Sequence, residues 1–113
     1  MQRKIAIPTS ETIEFINIGD IVRIEADRNN SKVFTIKAAP LTVTKSLTDF
    51  QKVLDEELFV RVHKSHLVNI EHIQRFVKID CGYIEMIDGT KIAVSRRKKS
   101  SFDKAIENYV KQM

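Results

Sequence analysis

A single cysteine, Cys81, in a chain of 113 residues rules out an intramolecular disulfide and fits a reducing compartment. With only three glycines and two prolines, no flexible linker is visible and no glycine-rich loop is available to cradle nucleotide phosphates. No apolar run approaches the ~18–20 residues needed to cross a bilayer. The N-terminus, MQRKIAIPTSE, has no apolar stretch of signal-peptide length. Internal repeats and low-complexity segments are absent too. These absences point to one cytoplasmic domain spanning residues 1–113, without membrane contact.

What is present is ordinary for a globular chain, except for the placing of charge. The formal net charge is +4 and the pI about 9.3. Residues 1–58 carry 8 Lys and Arg against 9 Asp and Glu, whereas residues 59–113 carry 11 against 6. A basic C-terminal half suggests a polyanionic partner.

Short β-branched runs predict strands over Lys4–Ile7, Thr12–Ile16, Asp20–Glu25, Lys32–Ala38 and Leu41–Thr44. Ser46-Leu47-Thr48-Asp49 opens a helix as a capping box with Asp in the acidic position. Leu47, Phe50, Leu54 and Leu58 continue it at helical spacing, and Asp55, Glu56 and Glu57 leave its end acidic. After a short segment, Arg75–Asp80, Tyr83–Ile87 and Lys91–Val94 read as a meander, with Cys81-Gly82 and Asp88-Gly89 as its turns. A last helix, from about Lys98 to Lys111, carries the stripe Phe102, Ala105, Ile106, Tyr109 and Val110. The fold class expected is mainly β, with two short flanking helices.

Catalytic chemistry finds little support. His63, His66 and His72 do not match the spacing of zinc sites, so no metal is expected. Ser65 lies near two imidazoles but has no nucleophile elbow and no orienting third group. No cofactor is expected and no enzyme activity is assigned.

Three polar stretches remain. The first is Phe59–Asn69, FVRVHKSHLVN. If Phe59–His63 is extended, Val60 and Val62 face the core, and Arg61 and His63 lie on the other face, outward or at an edge. The second is Ser95-Arg96-Arg97-Lys98-Lys99-Ser100, on a loop and a helix N-terminus. Cations there oppose the helix dipole, while the free N–H groups favour an anion. The third is Asp27–Lys32, where Arg and Asn suit base edges and Asp, Asn and Ser equally suit a turn.

Together the residues resemble the LytTR-type DNA-binding domain, the output domain of response regulators of the AlgR/AgrA/LytR type. The signposts are Asp20–Ala26, Ser46-Leu47, Phe59-x-Arg61-x-His63-Lys64-Ser65-x-Leu67-Val68-Asn69, Ile73, Asp88-Gly89 and Val94-Ser95-Arg96-Arg97. The resemblance covers about Ile5 to Val110. It implies elongated antiparallel sheets whose loops, rather than a recognition helix, enter successive major grooves of duplex DNA. By position it implies base reading by Asn29, Asn30, Ser31, Lys64 and Arg96. Arg28, Lys32, Arg61, Ser65, Ser95, Arg97 and Lys98 would be phosphate or positioning contacts, and His63 and Asn69 mainly structural. Lys64 stands where Arg is more frequent, which loses the planar fork for guanine.

The same resemblance implies a bacterial transcription regulator of a two-component system, acting on repeated sites, with a dimer on DNA as one expected mode of binding. An upstream phosphorylated receiver domain would be a partner, and the N-terminal Met1–Lys4 reads as the remnant of a linker to it. A protein-interaction or dimerisation module that keeps the fold without reading DNA is the alternative, with the C-terminal apolar stripe meeting a partner.

Overall fold

The computed structural model describes residues 3–80 and 82–113. Met1, Gln2 and Cys81, assigned above to a linker remnant and a meander turn, lie outside the described residues.

The β-branched runs form ten strands: β1 (Lys4–Pro8), β2 (Ile13–Asn17), β3 (Ile21–Asp27), β4 (Asn30–Thr35), β5 (Leu41–Val43), β6 (Phe59–His63), β7 (His66–Asn69), β8 (Ile73–Val77), β9 (Tyr83–Met86) and β10 (Lys91–Ala93). Two helices, α1 (Leu47–Val53) and α2 (Arg96–Tyr109), accompany them. The strands make three antiparallel sheets, ordered β1-β2, β5-β4-β3-β7-β6 and β10-β9-β8. The molecule measures 43 × 31 × 24 Å, which is the elongated β architecture expected.

The five-stranded sheet is buried on both faces. On one face Ile21, Ile24, Val33, Phe59 and Leu67 pack with Ile5 and Ile7 of the β1-β2 hairpin and Leu47 and Phe50 of α1. On the other, Val22, Val60, Val62 and Val68 pack with Ile84, Met86 and Ile92 of the three-stranded sheet and Phe102 of α2. Each such side chain contributes about 1.5–3 kcal/mol by leaving water. A one-residue slip would swap the two sets, so register is tightly held.

Two β-bulges set which side chains reach which core. Register shifts between Ile21 and Arg23 and between Arg61 and His63. An extra residue at each point sends two consecutive side chains to one face. Val22 and Arg23 therefore both face the second core. Arg23 is 7% exposed, its guanidinium lies 3.6 Å from the centroid of Phe34, and Nε donates to Asp88 Oδ2 at 3.0 Å. Asp88 is in the β9–β10 turn, so this pair ties the three-stranded sheet to the central one.

Local details differ from expectation in four places. The segment after β6 is a strand, β7, inserted between the central strand β3 and the edge strand β6. Helix α1 stops at Val53 rather than continuing to Leu58, because Asp55 Oδ1 accepts from Glu57 N at 2.9 Å and closes a turn. Leu58 still packs against the first core. Helix α2 begins at Arg96, two residues earlier than predicted. Its stripe fades toward the C-terminus, where Tyr109 and Val110 are exposed. The capping box is formed as read: Asp49 N donates to Ser46 Oγ at 3.1 Å and Ser46 N to Asp49 Oδ2 at 3.0 Å.

Asn69 is fully buried. Its Nδ2 donates to Ile21 O at 2.8 Å, and its Oδ1 accepts from Glu71 N at 2.9 Å. Asn69→Ala leaves both backbone groups unpaired, and a loss of about 2–4 kcal/mol is expected in urea unfolding. Burial raises the Asp88 pKa, but hydrogen bonds from Thr90 and Arg23 outweigh it, so the carboxyl sits below its ordinary value. Its stabilising contribution is therefore full above a pH of about 3.9 and disappears as pH falls through the lower folded-state value. Unfolding of Asp88→Asn followed from pH 7 to pH 2 is expected to give a shallower acid slope than the parent.

Candidate nucleic-acid interface

Sheet order brings three polar stretches to one end of the central sheet. Asp27 pairs with Asn30, leaving Arg28-Asn29 as a two-residue turn. Glu25 pairs with His66, so the Lys64-Ser65 turn lies beside it, and Ala26 N donates to Ser65 O at 2.9 Å. Ser95 N donates to Val62 O at 2.9 Å, which fixes the start of α2 at the β6 edge next to the Lys64 turn. The two turns and the start of α2 are 30 or more residues apart in sequence.

The β3–β4 turn holds Arg28 at φ 59°, the left-handed region that a non-glycine residue enters at a cost of about 1 kcal/mol. Arg28, Asn29, Asn30 and Lys32 are exposed. Ser31 is not. It is fully buried, and its Oγ donates to Lys45 O at 2.6 Å. The base-reading expectation for Ser31 is thus corrected: the strand alternation turns it inward, where its hydroxyl satisfies the carbonyl just before α1.

The Lys64-Ser65 turn lacks the Gly or Asn that usually closes a two-residue hairpin. Side chains do this instead. His63 Nδ1 accepts from Ser65 N at 3.1 Å, which leaves the ring proton on Nε2. Arg61 Nε donates to His63 O at 3.1 Å, Nη2 donates to Lys64 O, and Nη1 donates to Gln51 Oε1 of α1 at 2.7 Å. Arg61 thus faces α1, and the bulge sends His63 to the face of Val60 and Val62, opposite to simple alternation. The guanidinium that sequence reading offered to phosphate is spent on holding the turn. Gln51 was not legible as a member of this site, since only the packing of α1 brings it there.

His66 is half-buried, with its ring centroid 5.5 Å from that of His63. Burial lowers its pKa, opposed by the Glu25 carboxylate and reinforced by His63 and Arg23. His66 Nδ1 lies 3.9 Å from Glu25 Oε1 without a hydrogen bond. His72 is at the far end of β7, with Nε2 2.6 Å from Gly19 O. The three imidazoles do not converge.

The first turn of α2 is Arg96-Arg97-Lys98-Lys99, with no acidic residue, and the Ser95 side chain makes no capping bond. Lys99 is paired with Asp103 at 2.7 Å. Among the described residues Arg96, Arg97 and Lys98, like Arg28, Lys32 and Lys64, form no ion pair. The exposed cations at this end are uncommitted.

A two-sided β domain with a basic loop end of this kind offers a surface suited to a polyanion. Residues 11–107 match the family model of the LytTr DNA-binding domain. The chain is 34% identical over 95 residues to the sensory transduction protein LytT of Bacillus anthracis, covering 82% of the chain and 38% of that protein. It is 32% identical over 89 residues to the CO-responsive transcriptional regulator RcoM of Rhodospirillum rubrum, covering 76% of the chain and 36% of that protein. The fold matches the LytTr DNA-binding domain of a Bacillus cereus response regulator with a TM-score of 0.81 and 22% identity, over 94% of this chain and 98% of that one. The chain belongs to the LytTR DNA-binding domain family, as its motifs suggested. It spans well under half the length of these two relatives.

Removing the Arg61 guanidinium frees the carbonyls of His63 and Lys64. Arg61→Met is expected to speed amide exchange at Ser65, and at Ala26, whose N–H donates to Ser65 O, by tenfold or more, with exchange in β9 unchanged.

Proposed function

We propose that this domain binds specific duplex DNA through the β3–β4 turn, the β6–β7 turn and the start of α2, with these elements entering successive major grooves. The observation that carries the reading is the first turn of α2. Four consecutive cations, no acid and an unspent Ser95 hydroxyl meet at the end of a 14-residue helix where the dipole is already positive. That arrangement is repulsive by roughly 0.3–1 kcal/mol per exposed cation. A phosphate accepting from the free N–H groups and the Ser95 hydroxyl reverses the sign of every one of these terms.

Lys64, Asn29, Asn30 and Arg96 are the candidate base readers, since each is exposed at a turn tip or helix start. Arg28, Lys32, Arg97, Lys98, Ser65 and Ser95 are the candidate phosphate contacts. Arg61 acts as a positioning residue for Lys64. Sites repeated about one helical turn apart would allow two copies to bind one face of the duplex. The names of the relatives, sensory transduction and CO-responsive regulation, support a signal-receiving partner domain, and the phosphorylated receiver implied by the resemblance is the form we propose for it.

Selection of bound duplexes from a random pool, followed by salt titration, tests the reading. Enrichment of a repeated motif with affinity falling steeply as salt rises supports it. No binding at low salt favours the interaction module instead. Lys64→Ala and Arg96→Ala are expected to cost about 1–3 kcal/mol each and relax specificity, whereas Arg97→Ala weakens all sequences alike and lowers the salt slope by about 1. Arg28→Gly separates stability from function: relief of the left-handed backbone is expected to stabilise the free domain by up to about 1 kcal/mol while DNA affinity falls.

A further inference from the structure

The two-stranded sheet leaves one edge of β1 open. Ile18 N donates to Arg3 O and Thr9 N to Thr12 O, so the odd-numbered residues of β1 face β2. Antiparallel alternation then turns the N–H and C=O of Lys4 and Ala6 to the opposite edge. At one end of that edge Pro8 has no N–H, and its carbonyl accepts a long bond from Thr44 N at 3.4 Å. Among the described residues nothing pairs with Ala6 from this side.

This edge does not face open solvent. It borders a groove of about 260 Å³ whose other wall is α1, contributed by Asp49, Phe50, Lys52 and Val53 together with Lys45. Val53, the last residue of α1, lines the groove and is 69% exposed. Lys45 and Lys52 are exposed and form no ion pair among the described residues. The nearby carboxylate, Asp49, is committed to the backbone of Ser46. An unpaired strand edge, an apolar wall and two free ammonium groups therefore line one trough.

We infer that this trough takes a short, extended, acidic segment of a partner protein as a third strand beside β1. The segment's backbone would exchange hydrogen bonds with Ala6, one apolar side chain would cover Val53 and Phe50, and flanking carboxylates would meet Lys45 and Lys52. The chemistry of each wall selects the occupant. The edge calls for an extended backbone, Val53 for an apolar side chain and the lysines for negative charge. Pro8 limits pairing to a short stretch, because its end of the edge offers no donor. The inference is independent of the DNA-binding reading, since none of the candidate DNA contacts lines this trough.

The test is an NMR titration of the chain with the capped peptide Glu-Asp-Ile-Glu-Val-Asp and its counterpart with lysine at every acidic position. The expected result is saturable shift changes confined to β1 and α1, with amide exchange at Ala6 slowed at least tenfold. Val53→Glu and the double variant Lys45→Glu, Lys52→Glu are each expected to weaken the acidic peptide at least tenfold while the spectrum of residues 59–113 is unchanged. Ala6→Pro, which removes the open-edge donor at a strand edge where proline is tolerated, should weaken it similarly. Equal binding of the lysine peptide, shifts mapping elsewhere, or no saturation at millimolar peptide would overturn the proposal. So would a double variant that loses duplex DNA affinity and keeps the peptide, since the lysines would then serve nucleic acid.

Discussion

Burial of the central sheet on both faces is the constraint from which the rest follows. A sheet with one wet face can tolerate a slipped strand. Here every inward side chain has a partner core on its own side, and a slip would exchange the two sets. Loops cannot cross either buried face, so the β3–β4 and β6–β7 turns emerge at an end of the sheet. The β6 edge then accepts Ser95 and carries the start of α2 to the same place. The basic end of the molecule is a consequence of packing in which, of its basic residues, only Arg61 takes part.

Polar groups buried along this sheet do structural work that a hydrophobic core cannot. Asn69 satisfies one carbonyl of β3 and one N–H after β7, which joins these two strands just beyond the last pair of their ladder, Arg23 with Val68. Arg23 stacks on Phe34 and reaches Asp88, holding the outer sheet against the inner one. Arg61 and His63 close a turn that its own sequence would not close. Residues of the family's central motif thus divide between holding the scaffold and facing solvent, and the division follows the bulge at Val62.

Much of this was legible in the chain. β-branched runs located eight of the ten strands, with Phe59–His63 read as extended only conditionally, because half-buried strands favour those side chains. The Ser46–Asp49 capping box was readable because all its partners lie within four residues. Asn69 was readable as structural from the resemblance. Strand β7 was not found, since four residues of mixed character, His66-Leu67-Val68-Asn69, carry no clear period. Ser31 was misread for a related reason: a turn-forming residue in a polar run gives no sign of which way the strand will face.

Most of the elements, the capping of α1, the absence of an intramolecular disulfide and the family were carried by residue type and short-range spacing. Tertiary structure alone decided that three distant stretches meet at one end, that Ser31 turns inward, and that Arg61 spends its guanidinium on carbonyls and on Gln51. Those outcomes depend on strand order and on two bulges. Both are set by the matching of two cores across one sheet, a balance of long-range contacts with no signature in any local run of residues.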